Sequence, residues 1–104
     1  MEQTRLFNSL GLCRRAGKCQ SGDFAASRAV ESGKAKLMLL EQAAAEATKD
    51  RYAALCTRHS VPLVLVPEVG KAIGKPSHIV MAVTDAGFAR MIQDALASQT
   101  QVGG

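Results

Sequence analysis

Apolar positions follow two rhythms along this chain, one helical and one of strand type, and the two alternate. Leu6, Phe7, Leu10 and Cys13 fall at helical spacing within residues 4–16, and Gly17 follows where a C-cap residue is expected. Cys19-Gln20 leaves room for a very short strand. Ser21-Gly22-Asp23 is a helix-start signal, with the Asp23 or Ser21 side chain expected to accept from the first free N–H groups. The helix it opens, over about residues 24–32, is expected to bury Phe24, Ala29 and Val30 and to stop at Gly33.

Leu37-Met38-Leu39-Leu40 and Ile79-Val80-Met81-Ala82-Val83 are unbroken apolar runs of strand length, the form of a strand covered on both faces. Val61 to Val66 is a third run. Pro62 near its start has no ladder donor, so it belongs at a strand's first residues or on an edge. Between these runs, Ala43 to about His59 reads as an alanine-rich helix with Leu55 and Cys56 inward and Lys49, Asp50 and Arg58 outward. Pro67-Glu68 opens a short helix that ends at Gly74, and Lys75 to His78 form a loop. Thr84-Asp85 caps a last helix with Phe88, Met91, Ile92, Ala95 and Leu96 on one side. Four strands alternating with helices predict an α/β fold with a largely internal sheet, as one domain over residues 1–97 and a loose tail over 98–104.

Composition adds limits. A chain of 104 residues buries one core without a metal or disulfide, and 47% apolar with 21% charged residues is an ordinary globular balance. No apolar run approaches the roughly 20 residues of a membrane-spanning helix, and the start lacks a secretory pattern, so a cytosolic (cytoplasmic) location is expected. Cys13, Cys19 and Cys56 show no C-x-x-C spacing. Their favoured reading is as small apolar core residues, with metal ligation the weaker alternative. No cofactor is expected.

Charge location changes the picture more than its total. Residues 1–36 carry seven Lys or Arg and three acids, whereas residues 37–104 carry six of each sign, so the whole net charge of +4 lies in the first third. That asymmetry favours a polyanionic partner. Aromatic content of 4% argues against a single-strand stacking platform. The stretch from Arg14 to Asp23 gathers three cations, two glycines and the helix start, with Arg28 about one turn further on. Arg and Lys suit phosphate oxygens, glycine lets backbone N–H groups approach such a ligand, and a helix N-terminus adds donors. This segment is therefore expected to grip the backbone of a folded RNA. Arg14 and Arg15 have a second reading, as cations suited to a helix C-terminus. Lys34 and Lys36 are loop lysines by default, raised above that by their nearness to Gly22, Asp23 and Arg28.

Catalytic motifs are weak. Gly70-Lys71-Ala72-Ile73-Gly74-Lys75-Pro76-Ser77 imitates a P-loop, but it has three residues between its glycines instead of four, Pro76 splits Lys75 from Ser77, and a strand follows it. His59 and His78 are the only histidines, and no third group at a recognisable spacing orients either for a cysteine nucleophile. No enzyme is expected.

Leu10-Gly11-Leu12, Arg14-Arg15-Ala16-Gly17-Lys18, Ser21-Gly22, Gly33-Lys34-Ala35-Lys36-Leu37, and Ala72-Ile73-Gly74-Lys75 through Val83-Thr84-Asp85-Ala86-Gly87-Phe88-Ala89 together resemble one family. It is the ribosomal L-seven-Ae / L-thirty-e-like family, in particular its small bacterial members, and the resemblance covers about residues 6–92. It implies a three-layer α-β-α sandwich with a four-stranded mixed sheet and RNA bound at one end of the sheet. Many relatives bind kink-turns, and similar bacterial genes lie near those for transcription elongation and translation initiation factors. The implied partners are structured or ribosomal RNA, with the ribosome or such factors beyond it, and no membrane.

The family's Gly-x-Asn-Glu-x-x-Lys motif falls here on Gly22, Asp23, Phe24, Ala25, Ala26, Ser27 and Arg28. The glycine and the basic residue are kept, whereas Phe24 and Ala25 replace the Asn and Glu that face bases. The family's Ala-Glu-Asp loop is Glu41-Gln42-Ala43, and a basic residue before the last strand is His78. The resemblance thus implies RNA held by Gly22 and Asp23 backbone groups and by Lys18, Arg28 and Lys34, with Gln42 beside them. His78 and Ile79 would press on exposed bases, and Arg14, Arg15 and Lys36 would add diffuse attraction. Phe24 has two readings, a core residue at the helix start, which is favoured, or a base-stacking one. The rival to RNA binding is a protein-interaction module on the same sandwich.

Overall fold

A computed structural model describes residues 2–101 of the chain. The elements, in order, are α1 (Glu2–Arg15), β1 (Cys19–Ser21), α2 (Asp23–Glu31), β2 (Leu37–Glu41), α3 (Glu46–Arg58), β3 (Leu63–Val66), α4 (Val69–Ala72), β4 (Val80–Val83) and α5 (Ala86–Gln101). The four strands form one mixed sheet in the order β1-β4-β2-β3. Only β2 and β3 run parallel, joined through α3, while β4 lies antiparallel to both β1 and β2.

The unbroken apolar runs have a direct cause in this arrangement. Along β2 and β4 successive side chains point to opposite faces. Leu37, Leu39, Met81 and Val83 enter a core with α1, α4 and α5, and Met38, Leu40, Val80 and Ala82 enter a second core with α2 and α3. Two helical layers therefore enclose the central strands, as the α-β-α expectation required. β3 is an edge strand, which suits Pro62 immediately before it and leaves Leu65 exposed.

The helix stops at Gly17, Gly33 and Gly74 are all realised by paired bonds, at Gly74 from the Lys75 N–H to the Gly70 carbonyl and from the Gly74 N–H to that of Lys71. The Lys18 N–H donates to the Cys13 carbonyl and the Gly17 N–H to that of Arg14; the same pattern recurs from Lys34 to Ala29 and from Gly33 to Val30. The Asp85 carboxylate caps α5, accepting from the Phe88 N–H at 2.9 Å.

Two element boundaries and the burial of one residue differ most from the sequence reading. α3 starts at Glu46, three residues later than expected, because the Glu41 carbonyl accepts from the Ala44 N–H and its carboxylate from the Ala43 N–H, which closes a turn there. α5 runs on to Gln101, past Ser98 where the tail was expected to begin, and residues 102–104 of that tail lie outside the described residues. Phe24 is 74% exposed and is not a core residue; Ala26, Ala29 and Val30 form the buried stripe of α2 instead. Among the described residues, no helix is long and apolar enough to cross a membrane.

Candidate nucleic-acid interface

Strand order brings three chain segments to one end of the sheet. The Gly22 N–H donates to the Val80 carbonyl at 3.0 Å, the Glu41 N–H to the Ile79 carbonyl at 2.8 Å, and the Gln42 N–H to the Val66 carbonyl at 2.9 Å. Gly22, Gln42, His78 and Ile79 therefore meet, although they span more than half of the sequence. Gly22 has φ 90° and is the N-cap of α2. A Cβ at this position would lie 3.3 Å from His78 Cε1, so the imidazole is packed directly against the glycine. The ring is fixed by a 2.8 Å hydrogen bond between His78 Nδ1 and Ser21 Oγ.

The loop carrying His78 rests on α4. A Cβ at Gly70 would lie 2.5 Å from the carbonyl oxygens of both His78 and Lys75, so no larger residue lets the loop pass this close. Glu41 fastens the start of α4 to the end of β2, its carboxylate accepting from the Val69 N–H at 3.1 Å. The Ile79 side chain is left partly exposed beside this braced loop.

The helix cap differs from expectation. Neither Asp23 nor Ser21 caps α2, and no side chain does. Ser21 is engaged with His78, while the Asp23 carboxylate accepts from Arg51 at 3.0 Å and from the buried Tyr52 hydroxyl. These bonds tie the start of α2 to α3 and leave the first-turn N–H groups without a side-chain acceptor. The Tyr52 hydroxyl, then Arg51, hold the Asp23 carboxyl below the usual carboxylate range, and burial together with Asp23 pushes the Tyr52 phenol up.

Phe24 stands out from the first turn of α2 with the Arg28 guanidinium 5.5 Å from its ring centroid. The pair borders an open groove of about 340 Å³ that runs between α2 and the free edge of β1, past Gln20 and Ser32 to Lys34. Sequence reading did not place Arg51 or Tyr52 at this surface, took Gln20 only as strand, Ser21 only as a cap or motif residue and Gly70 only as part of a P-loop imitation. The partners of Ser21, Arg51 and Tyr52 lie 57, 28 and 29 residues away, and no local spacing announces them.

Lys18 and Lys36 lie elsewhere. The Thr84 N–H donates to the Lys18 carbonyl and the Lys36 N–H to that of Val83, which puts both lysines at the opposite end of the sheet. At strand rise this separates Lys18 from Gly22 by on the order of 13 Å. Arg14 and Arg15 border a different depression of about 310 Å³, between α1 and α4, together with Lys71.

The cysteines are all free. Cys13 and Cys56 are buried, and the Cys13 thiol donates to the Lys18 carbonyl at 3.4 Å. A hydrogen bond with Cys19, then burial, pushes the Cys13 thiol up, while the same bond lowers Cys19 with help from Arg14. No group of three His, Cys, Asp or Glu is gathered for a metal among the described residues.

Residues 4–93 match the family described as ribosomal protein L7Ae/L30e/S12e/Gadd45. The chain belongs to that family. Within the L7Ae family it is similar to the RNA-binding protein YlxQ of Bacillus subtilis (strain 168), at 36% identity over 83% of this chain and 89% of the relative. A YlxQ protein of Enterococcus faecium, also named RNA-binding, is 30% identical over 88% of this chain and 91% of the relative. Among solved structures, a protein with unknown function from Bacillus halodurans C superposes with TM-score 0.83 at 30% identity, covering 89% of this chain and 97% of that one. The Giardia lamblia 15.5kD RNA binding protein has the same fold, with TM-score 0.72 at 17% identity over 93% and 86% of the two chains. The resemblance read from the L7Ae-type motifs is thus confirmed for family and for fold.

Proposed function

We propose that this protein binds structured RNA at the sheet end where β1 turns into α2, without catalysing a reaction on it. One observation carries the reading. An uncapped helix start at Gly22 is braced by His78 and flanked by Arg28, in a family whose YlxQ members are named RNA-binding proteins. Open N–H groups and an Arg beside them suit phosphate oxygens, which fix position on an RNA without reading its sequence. Ile79 and Gln42, at the same end, would touch bases. Phe24 and Ala25 offer no polar group to a base edge, and two such contacts are worth about 1–3 kcal/mol of discrimination each on the scale of groove contacts in DNA. Ribosomal or kink-turn-like RNA, in translation or transcription-linked metabolism, fits this surface, with the backbone held more firmly than the sequence is read.

The test is Arg28→Ala with purified structured RNA across a salt series. Affinity is expected to fall, and the slope of log K against log salt to flatten by about 0.7–0.9, the share of one phosphate contact. Unchanged affinity and slope would put the interface elsewhere. Co-purification with a protein after nuclease treatment, without RNA affinity, would favour an interaction module.

A further inference from the structure

We propose that the groove beside α2 takes one unpaired nucleotide of the bound RNA, its base continuing the stack that Arg28 and Phe24 begin and its phosphates facing Arg28 and Lys34. This rests on the RNA-binding reading and says what part of an RNA the surface selects. Phe24 is the most exposed of the large apolar side chains described, at 74%, and it lies on the flank of α2, turned away from the core. Its ring therefore presents an open aromatic face on which a flat ligand can stack. A guanidinium already lies 5.5 Å from its centroid, so the site has the two components that hold a single base, an aromatic face and an Arg plane.

The space beside the pair is shaped for such an occupant. The groove of about 340 Å³ is walled on the helix side by short side chains, Ala25, Ala29 and Ser32, which leave room for a flat ring. Gln20 on the β1 edge contributes an amide that both donates and accepts, suited to a base edge. Lys34 closes the far end, and among the described residues no carboxylate lines the groove; Asp23 is bound to Arg51 and Tyr52. Two cations without an acid favour a phosphate-bearing ligand over a peptide. A paired base has both faces covered by its stacked neighbours, so only a bulged or single-stranded nucleotide reaches Phe24.

Two RNA hairpins test this, one carrying a single bulged 2-aminopurine and one fully paired with 2-aminopurine in the stem. The unaltered protein is expected to quench the bulged fluorophore and to prefer that hairpin. Phe24→Ala should weaken binding of the bulged hairpin by about 10-fold or more while leaving the paired one unchanged, and Phe24→Trp should restore both quenching and preference. Phe24 is outside the core, so these variants are expected to fold. If the unaltered protein binds both hairpins equally without quenching, or Phe24→Ala weakens both alike, the groove proposal falls and the RNA-binding reading stands. If the unaltered protein binds neither hairpin, both fall together.

Discussion

Two depressions on this protein are close in volume and both are lined by cations, yet they are built differently. The groove beside α2 joins Arg28 and Lys34 to an exposed aromatic ring and adjoins a junction braced by Ser21, His78, Glu41 and Gly70. The cleft between α1 and α4 holds Arg14, Arg15 and Lys71 without an aromatic. Arg14 and Arg15 also sit in the last turn of α1, where helix carbonyls offset part of their charge, and the Lys71 ammonium is 3.6 Å from Glu68. Counting cations alone favours the cleft, three against two. Geometry separates the two surfaces: positive charge alone raises encounter with a polyanion, whereas a fixed backbone and a ring decide what is held.

The strongest way to break the comparison is at the brace. Gly70→Ala drives a Cβ into two backbone carbonyls at 2.5 Å, and neither can rotate away. Stability is expected to fall by about 1–3 kcal/mol in urea unfolding, the range for overpacked sites. RNA affinity should drop as well, because the displaced loop carries His78 and Ile79. Retained stability and affinity would show that the loop moves freely and braces nothing.

A smaller effect is expected at the link between α2 and α3. Asp23 is held below the ordinary carboxylate range, so it contributes stability at neutral pH, and that contribution is lost as pH falls below about 4 and through its lowered value. Asp23→Asn should therefore lower the urea midpoint at pH 7 and converge with the unaltered protein at strongly acid pH. The carboxylate is 65% exposed beside Arg51, so solvent screens the pair and the difference at pH 7 is modest. Equal midpoints at every pH would remove Asp23 from the support of α2.

The smallest effect is assigned to the α1–α4 cleft. Arg14→Ala with Arg15→Ala is expected to weaken RNA binding by less than about threefold near physiological salt, where the Debye length is about 8 Å, and equally for paired and bulged RNA. A loss as large as that of Arg28→Ala, measured by the same titration, would make the two surfaces equivalent and reverse the argument.

The candidate site was legible in halves. Gly22 and Arg28 were readable because a glycine before a helix and a cation one turn later are local features. Phe24 misled because it is the largest apolar residue in its segment. At 3.6 residues per turn it lies about 200° from Ala26, off the stripe that Ala26, Ala29 and Val30 form. Asp23 looked like a cap because its competing partners, Arg51 and Tyr52, are 28 and 29 residues away. Lys18 and Gly22 looked like one cluster, but the strand between them carries them to opposite ends of the sheet.

What the sequence determined by itself is whatever near neighbours decide: the enclosed strands, the helix stops at Gly17 and Gly33, the Asp85 cap and the family. Each depends on burial pattern or hydrogen bonding within a few residues, and those terms act wherever the segment ends up. The tertiary structure alone decided that β4 lies between β1 and β2, which sets His78 against Ser21 across 57 residues and passes its loop over Gly70. Strand order minimises exposed apolar area over the whole chain at once, so no single segment encodes which of its neighbours it will meet.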